Sequence, residues 1–383
     1  DHGVSAFGVG DVDGDSKREI VWGTGLSSSG ADELVVAGLN PGIEVEWTNA
    51  DPVQLDGPFV GGALARSPTD APAPLFVTMT TESGYAGSRA LRLDPVDGTL
   101  AISPEFDMTG SRFSIAAIDD YDSDGTDEAL LASIGPWSTT PTVYDFYADS
   151  VEWQPPQFES AVQLASGNLT GDSRDELVWI SWDGFVSVLD VATQQITRQS
   201  DALPGARGLR VADRDGNGIA EVYAITPSSL HHFYPLAAGS ELVHYEAFPM
   251  AGNVLDVVVG DINGDGRSET FVLVDPHDPN GGSVVVPFDS ELRPNPPFTL
   301  PWRARSIAIE PSPFGRKNLL VSRTEGNLPA GRLVTVDAQN GSVVSESPPL
   351  IGAIARDSVH YVDLGSSQPR ISIGTDAGMY LTR

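Results

Sequence analysis

Short apolar stretches with alternating polar positions recur along the whole chain, and turns rich in Gly, Pro, Asp and Asn separate them. The first unit predicts four strands, at residues 4–10, 19–23, 33–39 and 43–48. Alternation is plain in IEVEW at 43–47 and in VSVLDV at 186–191, and a period of two is typical of strands. The 40 glycines and 29 prolines also favour turn-rich β structure over helices.

One segment recurs in this pattern: an apolar strand, an acidic turn and a second apolar strand. Clear copies read GDVDGDSKREIVW at 10–22, DDYDSDGTDEALL at 119–131, GNLTGDSRDELVW at 167–179, ADRDGNGIAEVYA at 212–224 and GDINGDGRSETFV at 260–272. Degenerate copies at 64–79, 309–322 and 362–375 complete a set of eight. Four short strands in a repeat of about 50 residues are typical of a propeller blade.

We therefore predict one all-β domain over residues 1–383, an eight-bladed β-propeller of four-stranded antiparallel blades. The last copy supplies only three strands, so a seven-bladed propeller is the alternative. The predicted repeats run approximately over 1–57, 58–110, 111–159, 160–205, 206–252, 253–302, 303–354 and 355–383.

The clear acidic turns follow the pattern D-x-D/N-x-D/N-x-x-x-E, which suits a calcium ion. Ca²⁺ takes about six to eight oxygen ligands, and acids at positions 1, 3 and 5 of a tight loop can converge on one point. Position 7 can add its backbone carbonyl and position 9 a last carboxylate, while glycine at position 4 or 6 permits the sharp turn. We predict about five Ca²⁺ sites. The candidate ligands are Asp11, Asp13, Asp15, Lys17, Glu19, Asp120, Asp122, Asp124, Thr126, Glu128, Asn168, Thr170, Asp172, Arg174, Glu176, Asp213, Asp215, Asn217, Ile219, Glu221, Asp261, Asn263, Asp265, Arg267 and Glu269.

Three other interpretations of these turns are weaker. An EF-hand needs an acid at position 12 and flanking helices, but position 12 is apolar in every copy, as at Trp22 and Val272. Hairpin turns alone would explain Asp-Gly and Asn-Gly pairs, but not the Glu at one offset in five copies. Mg²⁺ seldom uses cages made only of protein ligands.

The acidic turns and the apolar strand after each resemble the FG-GAP repeat family, also called VCBS repeats, which includes the propeller of integrin α subunits. AFGVGD at 6–11 is similar to the FG element, and VGGALA at 60–65 to the GAP element. The resemblance covers essentially the whole chain. It implies a propeller whose calcium loops join the first two strands of a blade, and a bacterial-type secreted or surface protein.

The face opposite the calcium loops is the expected ligand surface, because loops on a rigid scaffold commonly carry function. Exposed aromatic side chains suit sugar stacking or protein contacts, and arginine binds carboxylates and sulfates. Packing between blades and pairing with nearby acids are the competing roles. The candidate ligand-binding residues are Arg112, Arg207, Arg305, Arg356, Tyr85, Trp137 and Trp182, with Arg303 near them.

Charge and composition narrow the partners. With 53 acidic and 22 basic residues the formal net charge is −31, which disfavours binding of nucleic acid or anionic membranes. There is no cysteine, and no apolar run of about 18 residues that would indicate a membrane helix. The sequence opens at Asp1 with no basic segment followed by an apolar one, so we expect a mature form or an excised domain of a larger extracellular or cell-surface protein. We expect the chain to be monomeric.

We expect a binding or adhesion module for a carbohydrate or protein partner rather than an enzyme, since no nucleophile elbow, phosphate loop or zinc-protease motif occurs. A polysaccharide lyase is the alternative, with His360 and Tyr361 as base and acid and Arg356 neutralising a uronate. A structural spacer in a larger surface protein is a second alternative.

Overall fold

The strands of the predicted repeats are present in the structure, which is a computed structural model. It describes residues 4–10, 19–24, 34–38, 44–48, 59–64, 75–80, 87–93, 100–102, 106–107, 112–121, 125–126, 128–134, 142–154, 161–172, 174–235, 242–278, 281–310, 317–324, 330–351, 354–362, 370–375 and 378–381. Every regular element among these residues is a β-strand. The same ranges hold no helix of the length and apolarity needed to cross a membrane.

Six sheets of the described chain are separate blades, each with three or four antiparallel strands along its hydrogen-bonded path. Two of them add a short strand that pairs with the third strand, β9 with β7 and β30 with β28. The strands are β1 (Val4–Gly10), β2 (Glu19–Thr24), β3 (Leu34–Gly38), β4 (Glu44–Thr48); β5 (Phe59–Leu64), β6 (Leu75–Thr80), β7 (Gly87–Leu93), β8 (Leu100–Ile102), β9 (Phe106–Asp107); β18 (Gly208–Ala212), β19 (Glu221–Thr226), β20 (Ser229–Pro235), β21 (Leu242–Pro249); β22 (Asn253–Gly260), β23 (Glu269–Asp275), β24 (Val284–Phe288), β25 (Phe298–Thr299); β26 (Ile307–Ile309), β27 (Leu319–Thr324), β28 (Ala330–Val336), β29 (Val343–Glu346), β30 (Leu350–Ile351); and β31 (Ile354–Val362), β32 (Arg370–Thr375), β33 (Gly378–Leu381).

The remaining sheet has eight strands. It contains two antiparallel meanders, which one parallel bridge between Ile134 and Ala161 joins. Its strands are β10 (Arg112–Asp119), β11 (Glu128–Ile134), β12 (Thr142–Asp145), β13 (Ser150–Trp153), β14 (Ala161–Gly167), β15 (Glu176–Ser181), β16 (Val186–Asp190) and β17 (Gln195–Gln199).

The prediction of eight separate four-stranded blades is therefore wrong, and so is the seven-bladed alternative. The structure is an all-β propeller with six separate blades of three or four antiparallel strands along their paths, and a joined sheet between them. The physical reason is the bridge from Ile134 to Ala161, which continues hydrogen bonding across a boundary that the repeat spacing treats as a gap.

The sheets form a ring around an axis lined by their first strands. The first strands β1, β5, β10, β14, β18, β22 and β26 each lie beside the next, and β1 also lies beside β32 of the last sheet. The first and last sheets are therefore neighbours in the ring. Closure in this way protects the sheets from edge-to-edge association.

The second strand of each well-described sheet is buried on both faces. Every residue of β15 and β19 is buried, as are the first six of β23. Adjacent sheets share apolar clusters, one around Val178 and Val222, another around Tyr223 and Val272. Burial on both sides explains why these strands are near-continuous apolar runs rather than alternating ones.

A buried carboxylate links three first strands near the axis. Asp256, on β22, is almost inaccessible; its Oδ1 accepts from Arg210 Nη2 of β18 at 3.1 Å, and its Oδ2 accepts the N–H of Ile307 of β26 at 3.2 Å. A β-bulge between Val254 and Asp256 precedes it. Bulges re-aim a side chain, and this one places an acid between blades.

Replacing Asp256 with Ala should lower the free energy of unfolding by about 3 kcal/mol, because Arg210 and the Ile307 N–H lose a buried acceptor. Chemical denaturation measures this change. The control is Glu291→Ala, which breaks an exposed ion pair with Arg293 and should cost less than about 1 kcal/mol. Equal losses in the two variants would contradict the linking role of Asp256.

A histidine side chain is also buried without hydrogen bonds to its ring nitrogens. His232 is 1% exposed, neither ring nitrogen has a hydrogen-bond partner, and its ring lies 5.1 Å from that of Tyr223. Burial, with smaller contributions from the charges of Arg214 and His244, lowers the pKa of His232 to about 3. The imidazole is therefore neutral in the folded protein at neutral pH.

Because the pKa of His232 is lower in the folded than in the unfolded chain, its contribution to stability is complete above about pH 6.5 and is lost as the pH falls towards 3. The substitution His232→Phe should remove this loss. Between about pH 6.5 and 5 the wild type should lose about 1–2 kcal/mol more than the variant, as urea unfolding in chelated buffer would measure.

The matched control is His277→Asn, in the exposed loop after β23, where the backbone φ is 62° and Asn tolerates that conformation. An exposed imidazole loses little solvation on folding, so this variant should keep the wild-type pH dependence. A pH dependence identical in wild type and His232→Phe would refute the assignment to His232.

Candidate functional site

The acidic turns that the structure describes connect the first and second strands of their sheets and lie together at one end of the ring. Three of them, 168–176, 213–221 and 261–269, are described almost completely and are called the acidic loops here. Of the other predicted ligands, Glu19, Asp120, Thr126 and Glu128 are described, whereas Asp11, Asp13, Asp15, Lys17, Asp122 and Asp124 lie outside the described residues.

The first side chain of each acidic loop organises the backbone that follows. Asp213 Oδ1 accepts the N–H of Gly216 at 2.8 Å, and its Oδ2 accepts the N–H of Gly218 at 2.8 Å. Both glycines have positive φ, 75° and 84°, which other residues rarely adopt. Asp261 caps its own loop in the same way, so the glycines predicted to permit the turn do so.

The closing glutamate of each loop is buried and also holds the backbone. In the three acidic loops and in the turn that ends at Glu128, the glutamate Oε2 accepts the N–H of the second residue of the turn. All four glutamates are at most 9% exposed. The pairs are Tyr121 N to Glu128 at 2.8 Å, Leu169 N to Glu176 at 2.6 Å, Arg214 N to Glu221 at 2.8 Å and Ile262 N to Glu269 at 3.0 Å. Sequence reasoning missed this second role, although the constant offset of seven residues was its visible signal.

Burial and neighbouring acids disfavour the charge on these glutamates. Burial raises the pKa of Glu269, and the charges of Asp265 and Asp261 raise it further. Burial likewise raises the pKa of Glu176 and of Glu221. The loops thus hold closely spaced carboxylates whose repulsion a cation would relieve.

Asp261 behaves in the opposite way. Burial alone would raise its pKa, but the N–H groups of Gly266, Gly264 and Asp265 outweigh burial, and its pKa is lowered. The first acid of the loop is therefore held as a carboxylate.

The predicted ligands converge to different degrees in the three loops. In 261–269, Asn263 Nδ2 lies 3.1 Å from Asp265 Oδ2 and 2.9 Å from Glu269 Oε1, so positions 3, 5 and 9 meet. In 168–176, Asp172 instead pairs with Arg174 at 2.9 Å. Within the described part of the chain, no group of three or more His, Cys, Asp or Glu side chains is arranged to hold a metal ion.

The loop 213–221 contains a buried carboxylate oxygen that makes no hydrogen bond but faces an arginine. Glu221 Oε1 makes no hydrogen bond and lies 3.7 Å from Arg214 Nε, which is itself without a hydrogen-bond partner. Asp215 accepts from Tyr234 Oη at 3.3 Å. Arg214 therefore places a positive charge beside this oxygen, while the carboxylates of Asp213, Asp215 and Glu221 are hard oxygen donors of the kind that Ca²⁺ uses.

Backbone hydrogen bonds join each acidic loop to the next. Ala220 N donates to Asn168 O at 2.7 Å, and Ser268 N donates to Arg214 O at 2.7 Å. A third bond runs from Lys317 N to Ile262 O at 2.8 Å. These bonds couple the order of one loop to that of its neighbours.

The opposite end of the ring carries hairpins between second and third strands and the connections that lead into the next first strand. The hairpin end is defined here by residues 182–184, 201–207, 227–228, 251–252, 276–278 and 301–305. Leu203 N donates to Gly184 O at 2.8 Å, which ties a connection to a hairpin. A side chain at Gly184 would collide with the Leu203 carbonyl, so this hairpin is closely packed.

The predicted ligand-binding residues on this end differ in exposure and in their hydrogen bonds. Trp182 is 61% exposed at the tip of its hairpin, and Arg305 is exposed. Arg207 Nη2 donates to Asn253 Oδ1 at 2.7 Å and to the carbonyl of Val254, so it links two blades. Arg303 Nη2 donates to Asp278 O at 3.0 Å.

The other candidate residues, or their side chains, lie outside the described part of the chain. Tyr85 and Trp137 lie outside the described residues, as do the side chains of Arg112 and Arg356. The proposed lyase pair, His360 and Tyr361, lies on β31, whose side chains are also outside the description.

No family model and no curated protein matches the chain. Solved structures do match over nearly its full length. Sqt1 of Saccharomyces cerevisiae has a TM-score of 0.66 at 11% identity and covers 99% of this chain and 95% of its own. The C-terminal WD40 domain of Sif2 has a TM-score of 0.64 at 10% identity, covering 99% and 94%.

A third match, BBS1N in complex with ARL6DN, has a TM-score of 0.50 at 12% identity and covers 80% of this chain and 86% of its own. These likenesses establish the β-propeller fold. They overturn the FG-GAP or VCBS assignment, since the similar structures include a WD40 domain and no family model supports the repeat family. The short acidic motif is local, and the fold around it is common to many sequences.

Proposed function

We propose that this chain is a protein-binding module. Ca²⁺ stabilises its propeller at the acidic loops, and the hairpin end holds the partner. The observation that carries the proposal is the difference between the two ends. One end concentrates carboxylates, and the other presents Trp182 with 61% of its surface exposed on a closely packed hairpin.

A large exposed aromatic side chain on a rigid loop favours a binding role. Tryptophan is enriched at the energetic centres of interfaces, because it buries much area and loses little conformational freedom. Arg305, exposed at the same end, adds a cation to a chain of net charge −31. A carboxylate of the partner would complement Arg305, and an apolar group would pack on Trp182.

A protein is favoured over a carbohydrate as the partner. The similar structure of BBS1N is a complex with ARL6DN, so a propeller of related fold engages a protein there. Propellers present several loops on one end, which suits the area of a protein interface. Binding of an acidic glycan instead is one outcome of the test below.

Calcium would relieve the repulsion between the carboxylates of the acidic loops. The acidic loops hold first-position carboxylates as anions and bury their closing glutamates beside other acids. Hard oxygen donors of this kind bind Ca²⁺, and extracellular modules typically do so with dissociation constants of about 10⁻⁴–10⁻³ M. We propose an extracellular or cell-surface setting, where such sites stay filled.

Replacing Trp182 with Ala should lower the amount of partner captured by at least about tenfold, because the energetic centre of the interface is removed. The measurement is quantitative mass spectrometry of secreted proteins retained on the immobilised chain, with a glycan array in parallel. The control is Tyr245→Ala, an equally exposed aromatic residue (67%) on the outer strand β21.

Proteins retained by wild type and Tyr245→Ala, but lost with Trp182→Ala, would support the proposal. If Trp182→Ala retains the same proteins, the hairpin end is not the interface. If only acidic glycans are retained, the partner is not a protein.

Removal of calcium should lower the melting temperature of the whole chain, since a ligand that binds only the folded state stabilises it, by about 2.7 kcal/mol per site at a hundredfold excess over Kd. Calorimetry with EGTA and with excess CaCl₂ measures the increment. Asp261→Asn, which keeps an acceptor for the loop N–H groups but removes the charge, should reduce it.

Asp337→Asn is the matched control. Asp337 caps the turn between β28 and β29 by accepting the N–H of Gln339 at 2.8 Å, in a blade whose first turn lacks the acids. Its calcium increment should equal that of wild type. A melting temperature unchanged by calcium would rule out the stabilising ion.

A further inference from the structure

Two histidines on the outer half of one blade point their ring nitrogens at each other. His231 of β20 and His244 of β21 share a hydrogen bond, with Nδ1 and Nε2 3.1 Å apart, and their ring centroids are 5.2 Å apart. His244 is exposed and His231 half-buried, so the pair is open to solvent. The site is remote in chemistry from the acidic loops, which offer oxygen ligands only.

A β-bulge creates this pair. In the register of β20 and β21, Phe233 lies opposite His244 and His232 opposite Glu246, with an irregularity between them. His231 itself lies opposite Ala247, so the two histidines are diagonal rather than directly paired. Diagonal neighbours on one face are within reach of long or aromatic side chains, and the bulge brings these two closer.

Phe233 backs the pair on its inner side. Its ring is fully buried and lies 5.0 Å from that of His244, tilted by 35°. The Phe233 ring limits the rotation of the His244 imidazole and shields one side of it from water. An apolar wall behind a ligand holds its orientation and limits solvent access.

A metal ion could replace the proton that these hydrogen-bonded nitrogens share, because their separation is close to that of two imidazole ligands on one ion. Imidazole nitrogens bind a divalent first-row metal at about 2.0 Å, and two such bonds at about 100° to each other place the nitrogens about 3.1 Å apart. Imidazole suits Zn²⁺, Cu²⁺ and Ni²⁺, whereas Ca²⁺ takes oxygen.

We propose that His231 and His244 form a surface site for a late first-row divalent metal ion, with water completing its coordination. Cu²⁺ binds tightest at such a site, following the general order of affinity of these ions for nitrogen ligands. The described residues supply no third His, Cys, Asp or Glu to it. The negative field of the chain, with net charge −31, draws cations to the surface.

Titration of CuCl₂ into the full chain, in excess CaCl₂ so that oxygen sites are occupied, tests the proposal by calorimetry. His231→Ala and His244→Ala should each weaken the tightest Cu²⁺ site, by at least about tenfold, since loss of even an outer-shell partner costs that much. The matched control is His277→Asn, another exposed histidine far along the chain, which should leave the affinity unchanged. Wild-type affinity in both alanine variants would overturn the site.

Electron paramagnetic resonance of the wild-type chain with one equivalent of Cu²⁺ gives an independent readout that does not depend on the folding of a variant. Coupling to two imidazole nitrogens supports the site, and its loss to one nitrogen in His244→Ala identifies the ligand. A spectrum with oxygen ligands alone would overturn the proposal. Because the two histidines belong to neither the acidic loops nor the hairpin end, absence of Cu²⁺ binding at this pair would leave the proposed protein-binding function standing.

Discussion

Each second strand of the well-described sheets lies between two neighbouring sheets, and its side chains are removed from water on both faces. Strands β15, β19 and β23 are the clearest cases, and the apolar clusters that join successive sheets all draw on them. A strand buried in this way is not stable in an isolated blade, because both of its faces would be exposed. Each of these strands therefore needs a neighbouring sheet on either side, as in other stacked repeats.

The same strands begin with a charged residue. Glu176, Glu221 and Glu269 are the first residues of β15, β19 and β23, and each is buried with its pKa raised by burial. A backbone N–H from the loop satisfies one oxygen in every case, which lowers the cost of burial without removing it. Other acids lie near each of these glutamates, and the repulsion among the carboxylates is the physical basis of the calcium proposal, whatever family the chain comes from.

Local features could be predicted from the sequence because their causes are local. The strands of the first repeat, the positive-φ glycines of the acidic loops and the three strands of the last sheet all follow from alternation and turn chemistry. The number of separate blades could not be predicted, since one backbone bridge from Ile134 to Ala161 decides whether two meanders count as one sheet. The family assignment failed for a related reason: a nine-residue loop pattern carries little information about the sheet around it.

What the sequence conceals most completely is the effect of bulges. An alternating pattern assumes that strand partners keep their register, and a single extra residue changes which side chains meet. Asp256 is an acid in an apolar strand, and the bulge before it turns that acid towards Arg210 and Ile307 of the neighbouring blades. His231 and His244 are thirteen residues apart and not directly opposite, yet the bulge at Phe233 brings their nitrogens to 3.1 Å. In one case the irregularity stabilises the ring, and in the other it assembles a potential metal site, so the same backbone device serves structure and chemistry in adjacent blades.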